Sequence, residues 1–247
     1  MLPGAALARP RAWREQLAWR HPEWWTLGLS GIAWLMLLYP AILSAGAGHW
    51  SHARLAVAPV TPLELWPGAL GNWMLMVVAM MVPLVVDSVR GTATRSLWRR
   101  RQRAIAGFLI GYLAPWLVVG VLVSVVEVLG RPGSTVAVVG FALAAVWQLS
   151  PRKWRALQAC HRTAPLAPRG WRADRDCLRY GWSIGRTCVL SCWALMLACV
   201  LAGHSLPALA CASVVALAER YVVRPEQTFT FSLLFGTALV YGILSLA

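Results

Sequence analysis

Residues Ala104–Leu129 read AIAGFLIGYLAPWLVVGVLVSVVEVL, an apolar run of 26 residues with one charged side chain, Glu127. Wound as an α-helix, such a run extends about 39 Å, more than the ~30 Å of hydrocarbon in a bilayer. Lipid offers no water to satisfy backbone N–H and C=O groups, so a spanning run must be a helix or a strand of a closed barrel. The period-2 alternation of a barrel strand is missing here, which leaves the helix.

The same reading extends outward from this run. Apolar segments of helical length are expected at about Trp24–Ala45, Trp66–Val86, Ser134–Leu149, Trp182–Ala202, Ala208–Val223 and Thr228–Leu246. With Ala104–Leu129 they make about seven transmembrane helices, so the expected fold is an all-α polytopic transmembrane bundle. Composition agrees: 59% of the chain is hydrophobic and 13% charged, about half the ~25% charge of a soluble domain. No internal repeat, low-complexity tract or long linker divides the chain. The expected organisation is a basic arm over residues 1–23 and one helical domain over 24–247, with a basic loop at about 150–181. The arm holds four Arg and no apolar core ending in a cleavage site, so the first helix is expected to stay as an anchor.

Charge gives the orientation. The net charge is +14, from 23 Lys+Arg against 9 Asp+Glu. Taken alternately, the segments outside the expected helices carry 21 of these cations on one side and two, Arg54 and Arg131, on the other. Basic residues stay on the cytoplasmic side. The N-terminus is therefore expected in the cytoplasm of a multi-pass protein of the bacterial inner membrane. The charge is accounted for by an anionic lipid surface, and no nucleic-acid partner is needed. The sixth segment is short and ends in Glu219 and Arg220. If it and the fifth formed a re-entrant pair, the C-terminus would be cytoplasmic as well.

Cys188, Cys192 and Met196 recur every four residues, which places them on one face of a helix. Three soft sulfur donors in line suit copper or another soft metal ion. Cys and Met are also ordinary apolar fillers. Met76, Met80 and Asp87 fall on one stripe with Trp73, and Pro83 should kink that helix near Ala79. A carboxylate at membrane depth usually faces a bundle interior, a cavity or a partner. Asp87 could join the site or pair with Arg90, and Glu219 could be a ligand or a paired structural charge. Cys160-His161 and Cys177 lie in the basic loop, where reducing surroundings disfavour a disulfide; Cys160 is a candidate relay ligand. His49, His52 and His204 are expected to be solvated or interfacial. Walker A, H-E-x-x-H and G-x-S-x-G motifs are lacking, so an enzyme is not favoured.

These landmarks together resemble a bacterial family of predicted metal-binding integral membrane proteins, domain-of-unknown-function family 2182. Trp73-x-x-Met76-x-x-Ala79-Met80-Met81-x-Pro83 is similar to its second-helix signature. Trp147-Gln148-Leu149-Ser150-Pro151-x-Lys153, running on to Cys160, resembles its Y-Q-x-T-P-x-K motif with following cysteines. Cys188-x-x-Ser191-Cys192-Trp193-Ala194-Leu195-Met196 resembles its C-x-G-C-C-W-x-L-M motif, and Glu219-Arg220 matches a later Glu-Lys. Ser191 stands where the family has a second consecutive Cys, Leu190 where it has Gly, and Ala156 where it has a further Cys. The resemblance implies metal binding by Cys188, Cys192, Met196, Met76 and Met80, with Asp87, Glu219 or Cys160 assisting. Three functions are open on this reading: a metal-handling membrane protein working with a metallochaperone or membrane partner, a non-metal membrane subunit or assembly partner, or a small-solute transporter using Asp87 and Glu219.

Overall fold

The computed structural model describes residues 21–46, 62–129, 134–167, 169–221, 233–238 and 240. Every regular element among them is helical. In chain order these are α1 (Trp24–Gly46), α2 (Pro62–Met81), a 3-10 turn (Pro83–Val85), α3 (Val86–Arg95), a second 3-10 turn (Trp98–Arg100), α4 (Arg101–Leu129), α5 (Ser134–Gln148), α6 (Pro151–Ala159), α7 (Gly170–Leu201) and α8 (Leu206–Tyr221). Residues 233–238 are also helical. Most of the expected seventh segment, together with His49 and His52, lies outside the described residues.

Two helices are long and apolar enough to cross a membrane: Trp98–Val125, which is largely α4, and α7. A third qualifies if α2 and the helix after it count as one span, bent by 42°. The apolar stretches Trp24–Tyr39 and Val136–Gln148 are shorter.

Two expectations need correction. The second segment does not continue to Val86. Proline has no N–H to give the helix ladder, and Pro83 opens a 3-10 turn just past Met81, so the break falls later than Ala79. The basic stretch at 150–181 is not a loop throughout. Ser150 caps α6, its hydroxyl accepting the Arg152 N–H at 3.3 Å, with Pro151 in the first helical position. Beyond it, α7 begins twelve residues before the expected Trp182 because Ala173, Cys177, Tyr180 and Ile184 form a buried face along its first turns.

The centre of the fold is the pair α4 and α7. Gly107 and Gly111 on α4 face Cys177 and Leu178 of α7, and Gly181 and Gly185 on α7 face Phe108 and Tyr112 of α4, two small-xxx-small patterns that let backbones approach. A Cβ on Gly111 would stand 2.1 Å from the Leu178 carbonyl oxygen, and one on Gly181 2.0 Å from that of Phe108. Phe108, Tyr112 and Trp116 are wholly buried along this seam. The two helices run parallel: Arg100 and Arg103 pair with Asp174 at 2.5 and 2.9 Å, Phe108 meets Gly181, and Tyr112 meets Gly185.

The other main helices run alternately against this pair. Along α2, Trp73 donates to the Trp116 carbonyl at 3.0 Å while Met81 meets Tyr112, so α2 opposes α4. On α5, Gly140 faces Ala198 and Trp147 meets Trp193 edge to face, so α5 opposes α7. Ser30 of α1 donates to the Ala79 carbonyl at 2.7 Å, and Glu23 just before α1 approaches Arg90 at 3.8 Å. One end of the bundle thus gathers the start of α1, α3, the start of α4, α6 and the end of α8, together with most of the described arginines.

Candidate metal centre

Cys188 and Cys192 stand one turn apart on the inward face of α7, each 5% exposed. Four residues apart on that helix, the two thiols lie on one face and both line the same cavity. Met81, the last residue of α2, brings its Sδ to 4.0 Å from the Cys188 Sγ. Tyr112 of α4 completes the cluster from below. Its hydroxyl is 3.2 Å from the Cys188 Sγ and donates to the Met81 carbonyl at 3.0 Å. The Gly185 contact with the Tyr112 backbone holds these two helices at the distance this requires. Ser191 lies between the thiols, donating to the Cys188 carbonyl at 2.9 Å with its oxygen 3.4 Å from the Cys192 Sγ.

A cavity of about 20 Å³ opens beside this cluster, room for one ion or one water. Its walls include Cys160, Cys188, Cys192, Glu219 and Arg220. Cys160 reaches it from the end of α6, where Lys153, Leu157 and Cys160 share one buried face at spacings of four and three. Its Sγ donates to the Thr187 hydroxyl at 3.3 Å. Burial pushes the Cys160 thiol up to about 11, the Thr187 contact offsetting part of the effect.

Behind the cavity lies a buried polar network. Lys153 is 2% exposed and pairs with Glu219 at 2.5 Å. Its ammonium also donates to the Gln148 side-chain oxygen. Gln148 and Lys153 are the polar members of the motif at 147–153, and folding brings both to Glu219, 66 residues from Lys153. Beside Glu219, Arg220 is 8% exposed, and its Nε and Nη1 have no hydrogen-bond partner among the described residues.

The eight residues expected at the site are thus divided. Cys188, Cys192, Cys160 and Glu219 share the cavity wall. Met76, Met80 and Met196 are fully packed in the core, at 0–2% exposure, and do not line the cavity. The thioether that touches a cysteine is Met81, one residue beyond the expected stripe. Asp87 is exposed in the first turn of α3, because the break before it turns it out of the α2 stripe. Tyr112 and Met81 were missed as site members; the close glycine spacing on α4 and α7 was the available signal for the first. Among the described residues, no three His, Cys, Asp or Glu side chains form a metal cage alone. The donor set is two thiols and a thioether, with a third thiol across the cavity.

Of the two positions expected for His204, solvated or interfacial, the solvated one is not found. Its side chain is 8% exposed in the turn between α7 and α8, 3.5 Å from the Glu127 carboxylate. Burial pushes its imidazole down to about 4. Cys199 and Cys211 contact the Ala208 carbonyl and the Thr237 hydroxyl, away from the sulfur cluster.

A family model described as a copper chaperone, PpoB2, matches residues 70–244. The match covers well over half of the chain, and the chain belongs to this copper chaperone family. Neither the curated proteins nor the solved structures gave a match.

Proposed function

We propose that this protein is a multi-pass inner-membrane copper chaperone that carries one Cu(I) as cargo between Cys188, Cys192 and Met81 and passes it to a partner apoprotein. The observation that carries the reading is the meeting of two neighbouring thiols with a thioether 4.0 Å away, at a cavity sized for one ion. Thiolate and thioether sulfur favour Cu(I) over harder cations, and Cu(I) is content with few ligands. Loading would displace the thiol protons, as metal binding by cysteine does in general. Cys160 and Glu219 stand across the cavity, where the ion would enter or leave.

The membrane setting rests on the alternating helix directions and on the 21-to-two division of cations. It places the cavity toward the basic, cytoplasmic end, and the partner would be a cytoplasmic metallochaperone or a neighbouring membrane protein. The test is the metal content of protein purified in detergent. Wild type should retain about one copper per chain, and Cys188→Ser/Cys192→Ser none. A wild type without stoichiometric copper, or a double variant that keeps it, refutes the reading.

A further inference from the structure

The cavity wall carries an unbalanced charge. Lys153 and Glu219 are paired at 2.5 Å and cancel. Arg220 lines the same cavity, more than nine-tenths buried, with Nε and Nη1 unpartnered among the described residues. Asp87 is exposed and lies outside the cavity wall, so solvent screens it. With both thiols protonated, the site therefore holds one net positive charge. A buried cation without a partner is costly, and folded proteins keep such groups paired. The balancing negative charge can come from the site's own thiols when they lose their protons to the cargo.

We infer that Arg220 is the counter-charge of the loaded site and makes it selective for monovalent metal ions. The inference rests on the reading of Cys188 and Cys192 as the metal-binding pair. When a monovalent ion binds, both thiols release their protons to water. Two thiolates and one +1 ion carry a net charge of −1, which Arg220 neutralises. A divalent ion on the same two thiolates, with Cys160 kept on the Thr187 hydroxyl, forms a neutral complex and leaves Arg220 unbalanced; every chain in the titration is therefore also compared in a Cys160→Ser background. The sulfur donors alone also accept zinc, so sulfur chemistry does not make this distinction. The buried guanidinium does.

The experiment uses the full chain in detergent, titrated anaerobically with Cu(I), Ag(I) and Zn(II) against chromogenic chelators. The chains compared are wild type, Arg220→Lys, Arg220→Met, Arg220→Gln and Cys188→Ser/Cys192→Ser. The neutral variants should still bind one ion per chain. Their preference for Cu(I) and Ag(I) over Zn(II) should fall by about tenfold or more, the loss expected for a full charge at short range at an effective dielectric of about 20. Arg220→Lys should keep the wild-type preference. If the neutral variants bind through the cysteines with the wild-type preference, the inference fails while the chaperone reading stands. If wild type shows no cysteine-dependent binding, the chaperone reading fails first. Removing an unpaired buried charge should not unfold the protein, so failure of both neutral variants to fold would mark Arg220 as structural and overturn the inference too.

Discussion

Replacing Gly181 by Ala tests whether the α4–α7 seam holds the sulfur cluster together. The new Cβ would lie 2.0 Å from the Phe108 carbonyl oxygen, and ordinary contact begins near 3.4 Å. The helices must therefore part by about 1.4 Å at this point. Both sides of the contact are helical backbone, so no side chain can swing aside. Overpacking of a tight interior costs about 1–3 kcal/mol, and a gap of ~1 Å forfeits up to half the dispersion energy of the atoms lining it. The upper end, about 3 kcal/mol, is expected here, equal to a fall of about 6–12 °C in Tm for a chain of this size.

The displacement also reaches the site. Tyr112 lies one turn beyond Phe108 on α4, and its hydroxyl is 3.2 Å from the Cys188 Sγ. A shift of about 1.4 Å carries that contact past the range of a hydrogen bond to sulfur. Copper affinity should fall together with Tm. The control is Gly68→Ala on α2, where nothing lies within 4 Å of the added Cβ. Alanine there should be neutral or stabilising by up to ~1 kcal/mol through helix propensity. Thermal unfolding in detergent and competition with a Cu(I) chelator read both effects. If Gly181→Ala melts with Gly68→Ala and binds copper like wild type, the seam does not set the site geometry.

Breaking the buried pair with Lys153→Met or Glu219→Gln alone should cost about 3–5 kcal/mol by leaving its partner unpaired, whereas the double variant should recover much of that loss; additive losses in a double-mutant cycle would contradict this. Tyr112→Phe leaves the Met81 carbonyl without its donor and should cost about 1–3 kcal/mol in unfolding free energy, against an unchanged midpoint if the hydroxyl is idle. His204, pushed down to about 4 by burial, binds its proton more weakly folded than unfolded. Its contribution is complete above the unfolded value of about 6.5 and is lost as pH falls toward 4, about 3 kcal/mol in all. Unfolding followed between pH 7 and 4.5 should show that slope in wild type and lose it in His204→Gln.

The helices were legible where the signal is local. Apolar length placed α1, α4 and α5 to within a few residues, and the shared face of Cys188 and Cys192 followed from helical spacing. What failed depended on contacts distant in sequence. The start of α7 looks polar residue by residue; its buried face is only meaningful with Gly107 and Phe108 of α4 opposite. Pro83 announced a bend, but the position of the break decided that Met81 rather than Met80 meets Cys188 and that Asp87 turns outward. Gln148, Lys153 and Glu219 stood in the motifs from the start. Their union into one network depends on a chain reversal that neither motif encodes.

The geometry also weighs against a solute transporter using the two carboxylates. Glu219 is committed to Lys153 at 2.5 Å, so a proton or solute arriving there must first displace a buried ammonium. Asp87 sits on the exposed side of α3 and does not share the cavity. The cavity itself, about 20 Å³, is far below the 300–1,000 Å³ of pockets that enclose small organic ligands. One ion or one water is what fits. Filling space alone does not account for Arg220 beside the thiols, buried on the cavity wall with Nε and Nη1 unpartnered among the described residues, since a buried charge costs more than an apolar side chain. The cost is explained when the groups act on something that arrives carrying charge and an affinity for sulfur.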